Sequence, residues 1–113
     1  MENNAPLVYE NCLNKVQDDE NLIKKTINYL TESSREDLLP NDPVARFHLG
    51  NGAILHKINL NADMSVKGIE QSHGIMINYL YDLNIVEKNH EQFFKDKEVI
   101  QSNEIKALKK KYS

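Results

Sequence analysis

Between Ser33 and Gly52 the chain concentrates turn formers: Ser33, Ser34, Pro40, Asn41, Asp42, Pro43, Gly50, Asn51 and Gly52. Two prolines fix two φ angles and push the residues before them toward extended backbone. Apolar periodicity vanishes through this stretch, so neither a long helix nor a strand is expected to cross it. It therefore divides the chain into a part before and a part after. Val44, Phe47 and Leu49 are apolar inside it. The expectation is a loop held by buried anchors, the kind of segment that positions functional groups.

The part before reads as helical. Pro6 suits the first position of a helix, where a missing N–H is harmless. Tyr9, Leu13 and Val16 then recur at helical spacing beside Cys12. Asp18 and Asp19 offer an N-cap for a second helix, with Ile23, Ile27 and Leu30 as its stripe and Leu22 and Tyr29 widening it. The part after reads as strands. Asn51-Gly52 signals a turn, and Ala53 to Leu60 alternates, placing Ile54, His56, Ile58 and Leu60 on one face and Leu55, Lys57 and Asn59 on the other. Asn61 to Gly74 is polar and irregular, with room for a short helical turn. Ile75 to Tyr81 is apolar enough on both faces for a buried strand, with a buried helix as the rival for so short a run. Ser102 is a plausible N-cap for a last helix with Ile105 and Leu108 inward. The expected fold is mixed α/β: helices, two strands, and a terminal helix, over residues 1–113 as one unit.

A chain of 113 residues, 40% hydrophobic and 27% charged, can build a core, burying about two-thirds of its unfolded surface. A net charge of −3 argues against a nucleic-acid partner, which calls for a basic surface. The basic run Lys109, Lys110 and Lys111 suits a solvated helix C-terminus. No apolar run reaches the ~20 residues of a membrane span. Cys12 is the only cysteine, so no internal disulfide forms. Met1-Glu2-Asn3-Asn4 lacks the pattern of a secretory signal, and Lys111-Tyr112-Ser113 is not the peroxisomal Ser-Lys-Leu. An intracellular and by default cytoplasmic compartment is expected, with mitochondrial or peroxisomal residence left open.

Chemistry rests on few residues. The histidines His48, His56, His73 and His90 show no spacing that places two ligands on one helical face, and no cysteine pair accompanies them, so no metal is expected. Gly50-Asn51-Gly52 lacks the remaining elements of a phosphate loop and reads as a turn. His48 stands out between Phe47 and Leu49, where apolar neighbours would desolvate and orient an imidazole that titrates near neutrality. On the residues alone it is either such a group or a structural histidine bonded to backbone. Tyr79 and Tyr81 share one strand face and are core aromatics on the same terms.

The run Asp42-Pro43-Val44-Ala45-Arg46-Phe47-His48-Leu49-Gly50-Asn51-Gly52-Ala53 resembles a signature of malonyl-CoA decarboxylases, Asn/Asp-Pro-Val-Ala-x-Phe-His-Leu-x-Asn-Gly-Ala. The resemblance continues through Ile58-Asn59 and Ala62-Asp63-x-Ser65-x-x-Gly68. It resumes at Gln71-Ser72-x-Gly74-x-Met76-x-Asn78-Tyr79-x-Tyr81, and upstream Leu22 to Leu30 resembles the family helix leading into the signature.

The resemblance implies that His48 is catalytic and that Tyr81 matches an active-site position; Asn51, next to the motif glycines, and Asn78 are added as candidate substrate-binding residues. It implies the carboxyl-terminal portion of a GNAT-like acyl-CoA-binding fold and decarboxylation of malonyl-CoA to acetyl-CoA and CO2 without a cofactor. The upstream Ser-Pro serine and the Gly-rich turn that holds the CoA pyrophosphate have no counterpart here. The implied partners are therefore malonyl-CoA and acetyl-CoA, and the remainder of the catalytic domain or a partner chain. A homo-oligomer is left open, with no nucleic acid and no membrane. The alternatives are a non-catalytic interaction or regulatory module, and another acyl-CoA enzyme on the same fold.

Overall fold

The computed structural model describes residues 2–6, 19–62, 64–72 and 74–112. Its elements are β1 (Glu2–Pro6), α1 (Asp19–Thr31), α2 (Pro43–Gly50), β2 (Ile54–Asn59), α3 (Val66–Ser72), β3 (Met76–Leu80), α4 (Val86–Lys95) and α5 (Asn103–Tyr112). The helix expected over Tyr9 to Val16, with Cys12, lies outside the described residues. Mixed α/β architecture is observed, with a sheet of order β1-β3-β2, antiparallel throughout. Among the described residues no helix is long and apolar enough to cross a membrane.

Within the stretch Ile75 to Tyr81, Met76–Leu80 is a strand, which settles the choice left open by its length. Ile77 and Tyr79 are fully buried on one face, and Met76, Asn78 and Leu80 are half-buried on the other. β3 is the central strand, so both of its edges are paired. β1 adds a strand where a helix start was expected. Pro6 ends it opposite Met76, and proline is tolerated on an edge strand, where its missing N–H interrupts no inner ladder.

The expected alternation in β2 fails at one residue. Pairing runs Leu55 to Tyr79 and then Lys57 to Asn78, so His56 is extra. This β-bulge inverts the pattern beyond it. Leu55 and Ile58, three apart, share the core face with Tyr79 and Ile77, and Ile54 is on the opposite face from Ile58. The outer edge of β2 is covered by the segment before α5. The Leu55 N–H donates to the Ile100 carbonyl at 2.7 Å and Ser102 N–H to the Leu55 carbonyl at 2.9 Å. The Ser102 hydroxyl donates to the bulged His56 carbonyl at 2.8 Å and accepts from Ile105 N–H at 3.2 Å, capping α5 as expected.

The largest departure is α2. The turn formers around it mark its ends and do not extend through it. Asp42 is the N-cap, accepting from Val44 N–H at 2.8 Å, and Pro43 occupies the first turn. Asn51 is the C-cap. Ala45 and Leu49, four apart, are the buried anchors, whereas Phe47 is 64% exposed. Arg46 Nη1 donates to the carbonyls of Pro40 and Asn41, both at 3.0 Å, drawing in the approach to the helix.

α4 was not anticipated by the sequence reading. It packs on α2 through Phe93, and α5 packs on α1 and β2 through Ile105. Each fully buried aliphatic or aromatic side chain contributes about 1.5–3 kcal/mol. At the far end of α5, Lys109 donates to Glu32 at 2.9 Å and to Asn28 at 3.3 Å, so this member of the basic run ties α5 to α1.

Gly52 links α2 to β2 at φ +90°, and a Cβ there would sit 2.3 Å from the Val86 carbonyl oxygen. Gly52→Ala is therefore expected to destabilise the chain by about 2–4 kcal/mol, combining left-handed strain with a backbone clash. Urea unfolding of the two proteins measures it; a loss below about 1 kcal/mol would show that the turn can move away from α4.

Candidate active site

α2 presents His48 from its last turn toward the sheet face that carries Tyr79. The imidazole lies on the Tyr79 ring with centroids 4.5 Å apart and planes 18° from parallel. Its Nδ1 is 2.7 Å from the Tyr81 hydroxyl oxygen, a hydrogen bond across thirty-three positions of sequence. Phe47 meets the ring edge-on at 5.2 Å. The His48 carbonyl accepts from Asn51 and Ala53 N–H, both at 3.1 Å. Backbone, ring plane and one ring nitrogen are thus all constrained, and Nε2 has no protein partner among the described residues.

Burial against these aromatic groups pushes the His48 pKa below its ordinary 6.5, because the imidazolium loses hydration that nothing replaces. Burial pushes Tyr81 up from 10.0. Both partners are therefore neutral at pH 7. A neutral pair shares one hydrogen across the 2.7 Å contact, and its direction sets the imidazole tautomer. When Tyr81 donates, Nε2 carries the ring N–H and is a free donor; when His48 donates, Nε2 is a free acceptor.

The turn after α2 is locked from α4. Asn89, buried at 3% exposure, donates from Nδ2 to the Gly52 carbonyl at 3.1 Å. His90 Nδ1 meets the Gly50 carbonyl at 2.5 Å and stacks edge-on to Phe94 at 5.0 Å. The sequence reading missed both residues. The available signal was the spacing of Ile85, Asn89 and Phe93, which is amphipathic only if a buried asparagine is counted with the apolar residues.

The structure brings His48 and Tyr81 together and sets the other two candidates apart. Asn51 caps α2 and lines a hollow of about 360 Å³ with Val86, Glu87, His90 and Glu91. Asn78 is on the opposite face of β3 from Tyr79. There its Oδ1 accepts from Asn59 Nδ2 at 2.7 Å, beside a hollow of about 500 Å³ that also includes Leu60, Ala62 and Met76.

Residues 5–113 match the family model described as Malonyl-CoA decarboxylase C-terminal domain. Mitochondrial malonyl-CoA decarboxylase of Rattus norvegicus is 42% identical over 67 residues, covering 59% of this chain and 14% of the rat protein. That of Anser anser anser is 41% identical over 64 residues, 57% of this chain and 13% of its own. Among solved structures, malonyl-CoA decarboxylase from Agrobacterium vitis superimposes with a TM-score of 0.75 at 45% identity, over 80% of this chain and 22% of that one. The Rhodopseudomonas palustris protein gives 0.74 at 39% identity, over 79% and 20%. The chain thus spans under a quarter of the length of each of these relatives.

His48 is expected to titrate below pH 6.5, and folding stability to fall as pH drops from 6.5 through that lower value, because the unfolded chain takes up the proton first. NMR titration of the His48 ring protons reads the midpoint directly. A midpoint at or above 6.5 would mean that the imidazole is not desolvated.

Proposed function

The chain belongs to the malonyl-CoA decarboxylase C-terminal domain family, and we propose that it contributes the His48–Tyr81 pair to decarboxylation of malonyl-CoA into acetyl-CoA and CO2. The observation that carries this reading is the 2.7 Å bond joining the two residues that the resemblance singles out.

The chemistry sets two demands. Breaking the bond between the malonyl carboxylate and the α-carbon leaves an electron pair on that carbon, which the thioester carbonyl absorbs as an enolate. The developing negative oxygen must be stabilised, and the α-carbon must then receive a proton. A histidine held neutral at pH 7 suits the first demand better than the second, since a neutral N–H donates a hydrogen bond without giving up its proton. With Tyr81 donating to Nδ1, His48 Nε2–H is aimed as a donor at the enolate oxygen. One preorganised donor of this kind contributes about 3–4 kcal/mol. With its one O–H given to Nδ1, Tyr81 faces the malonyl carboxylate or the thioester through its ring, and a serine outside this sequence completes the site and delivers the proton to carbon.

The three-stranded sheet fits the closing portion of the GNAT-like fold that the resemblance implies. The remainder of such a domain, within one polypeptide or on a partner chain, would supply the CoA-binding elements; a homo-oligomer is compatible with this arrangement. Asn51 and Asn78 stay as candidate substrate contacts, Asn51 from the hollow at the end of α2 and Asn78 from the hollow on the opposite face of β3. A lone cysteine suits a reducing intracellular compartment. The second reading is a non-catalytic interaction or regulatory module of the same family.

The test places this chain in the Agrobacterium vitis enzyme in exchange for the matched segment and follows acetyl-CoA formation from malonyl-CoA. His48→Asn is expected to lower turnover about 100- to 1000-fold, the range for loss of one preorganised donor. Tyr81→Phe is expected to lower it about tenfold, the loss of one orienting hydrogen bond. Full turnover by His48→Asn would remove the catalytic assignment and leave the non-catalytic reading.

A further inference from the structure

A hydrogen bond alone does not aim an imidazole. With Nδ1 tied to Tyr81, the ring can still rock about the line joining the two atoms, sweeping Nε2 through an arc. A stacking surface alone fixes the ring plane and lets the ring flip, exchanging Nδ1 with the carbon edge. Both constraints together leave one orientation. We propose that Tyr79 is the second constraint, a positioning residue whose buried ring is the floor that holds His48. The proposal rests on the reading of His48 as the reacting imidazole and extends it to a residue outside the reacting pair.

The floor is rigid for reasons visible in the sheet. Tyr79 is on the central strand, paired with Asn3 on one side and Leu55 on the other. Its side chain is fully buried. The stack at 4.5 Å and 18° is close to parallel, whereas the Phe47 and Tyr81 rings meet the imidazole edge-on at 81° and 66°. Tyr79 is therefore the residue that sets the plane. Its hydroxyl is buried and meets no hydrogen-bond partner among the described residues. The ring, and not the hydroxyl, is then what the site uses.

This separates two variants. Tyr79→Phe keeps the floor and removes an unpartnered buried hydroxyl; Tyr79→Leu keeps an apolar side chain and removes the aromatic face. In the full 113-residue chain, the His48 ring protons should resonate upfield of those of free histidine, shielded by the Tyr79 face. Tyr79→Phe should keep that shift and Tyr79→Leu should lose it. In the Agrobacterium vitis exchange, Tyr79→Phe should hold kcat within about twofold, while Tyr79→Leu should lower kcat about ten- to a hundredfold and leave KM within about twofold, the pattern of a misaimed group.

Absence of the upfield shift in the unsubstituted chain overturns the proposal even if Tyr79→Leu does not fold. A kcat for Tyr79→Phe as low as that of His48→Asn overturns it as well, since the hydroxyl would then be the acting group. Loss of activity in His48→Asn with kcat kept in Tyr79→Leu defeats the positioning role alone. Full activity in His48→Asn defeats the catalytic role, with the shielding still reporting whether the floor exists.

Discussion

The arrangement depends on how closely α4 approaches the turn between α2 and β2. At Gly52 the two backbones come within a distance that leaves no room for a side chain. Asn89 and His90 then bind the carbonyls of Gly52 in the turn and Gly50 at the end of α2. With that junction closed, the last turn of α2 brings His48 onto the Tyr79 ring. A bulkier residue at Gly52 would move α4 away, release both carbonyls and lift the imidazole from its floor. Backbone packing thus precedes the site chemistry.

Much of the fold was legible because it follows from period and caps. Ile23, Ile27 and Leu30 mark α1, Ser102 opens α5, and alternation from Ile75 to Tyr81 marks the central strand. Where reading failed, tertiary contacts overrode local pattern. α2 is eight residues long, too short for periodicity to stand out, and its boundary residues dominate the stretch. Asp42-Pro43 and Gly50-Asn51-Gly52 are turn formers because they start and stop a helix. The bulge at His56 has no local signature: Ile54 and Ile58 look like one face until an extra residue intervenes. What fixes it is the Ser102 hydroxyl reaching the bulged carbonyl from the start of α5, a long-range contact that spacing does not encode.

The site divides in the same way. His48 was singled out by its apolar flanks, and its desolvation in the structure matches that reasoning. The flank expected to bury it contributes only an edge: Phe47 points mostly outward, and the flat contact is with Tyr79. Tyr81 was singled out only through resemblance, and its bond to His48 was not foreseen, because nothing in a sequence joins positions 48 and 81. Asn89 was invisible, since a buried asparagine inside an amphipathic helix reads as an error in the pattern until its carbonyl partner is known.

A neutral imidazole on an aromatic floor also fixes which chemistry is within reach. Were His48 exposed, it would be partly protonated near neutral pH, and its charge would be hydrated before any substrate arrived. Stacked on Tyr79 and bonded to Tyr81, it is shifted toward the neutral form and has less hydration to lose when an anion forms beside it. Both tyrosines are held in their protonated state by burial, so no phenolate competes for the imidazole proton. An uncharged donor with fixed direction favours charge that appears during the reaction over charge already present on the substrate. The decarboxylation proposed above is such a case, since the enolate oxygen becomes negative only as the carbon–carbon bond opens. A lysine or arginine in the same place would instead favour an anion already present in the ground state.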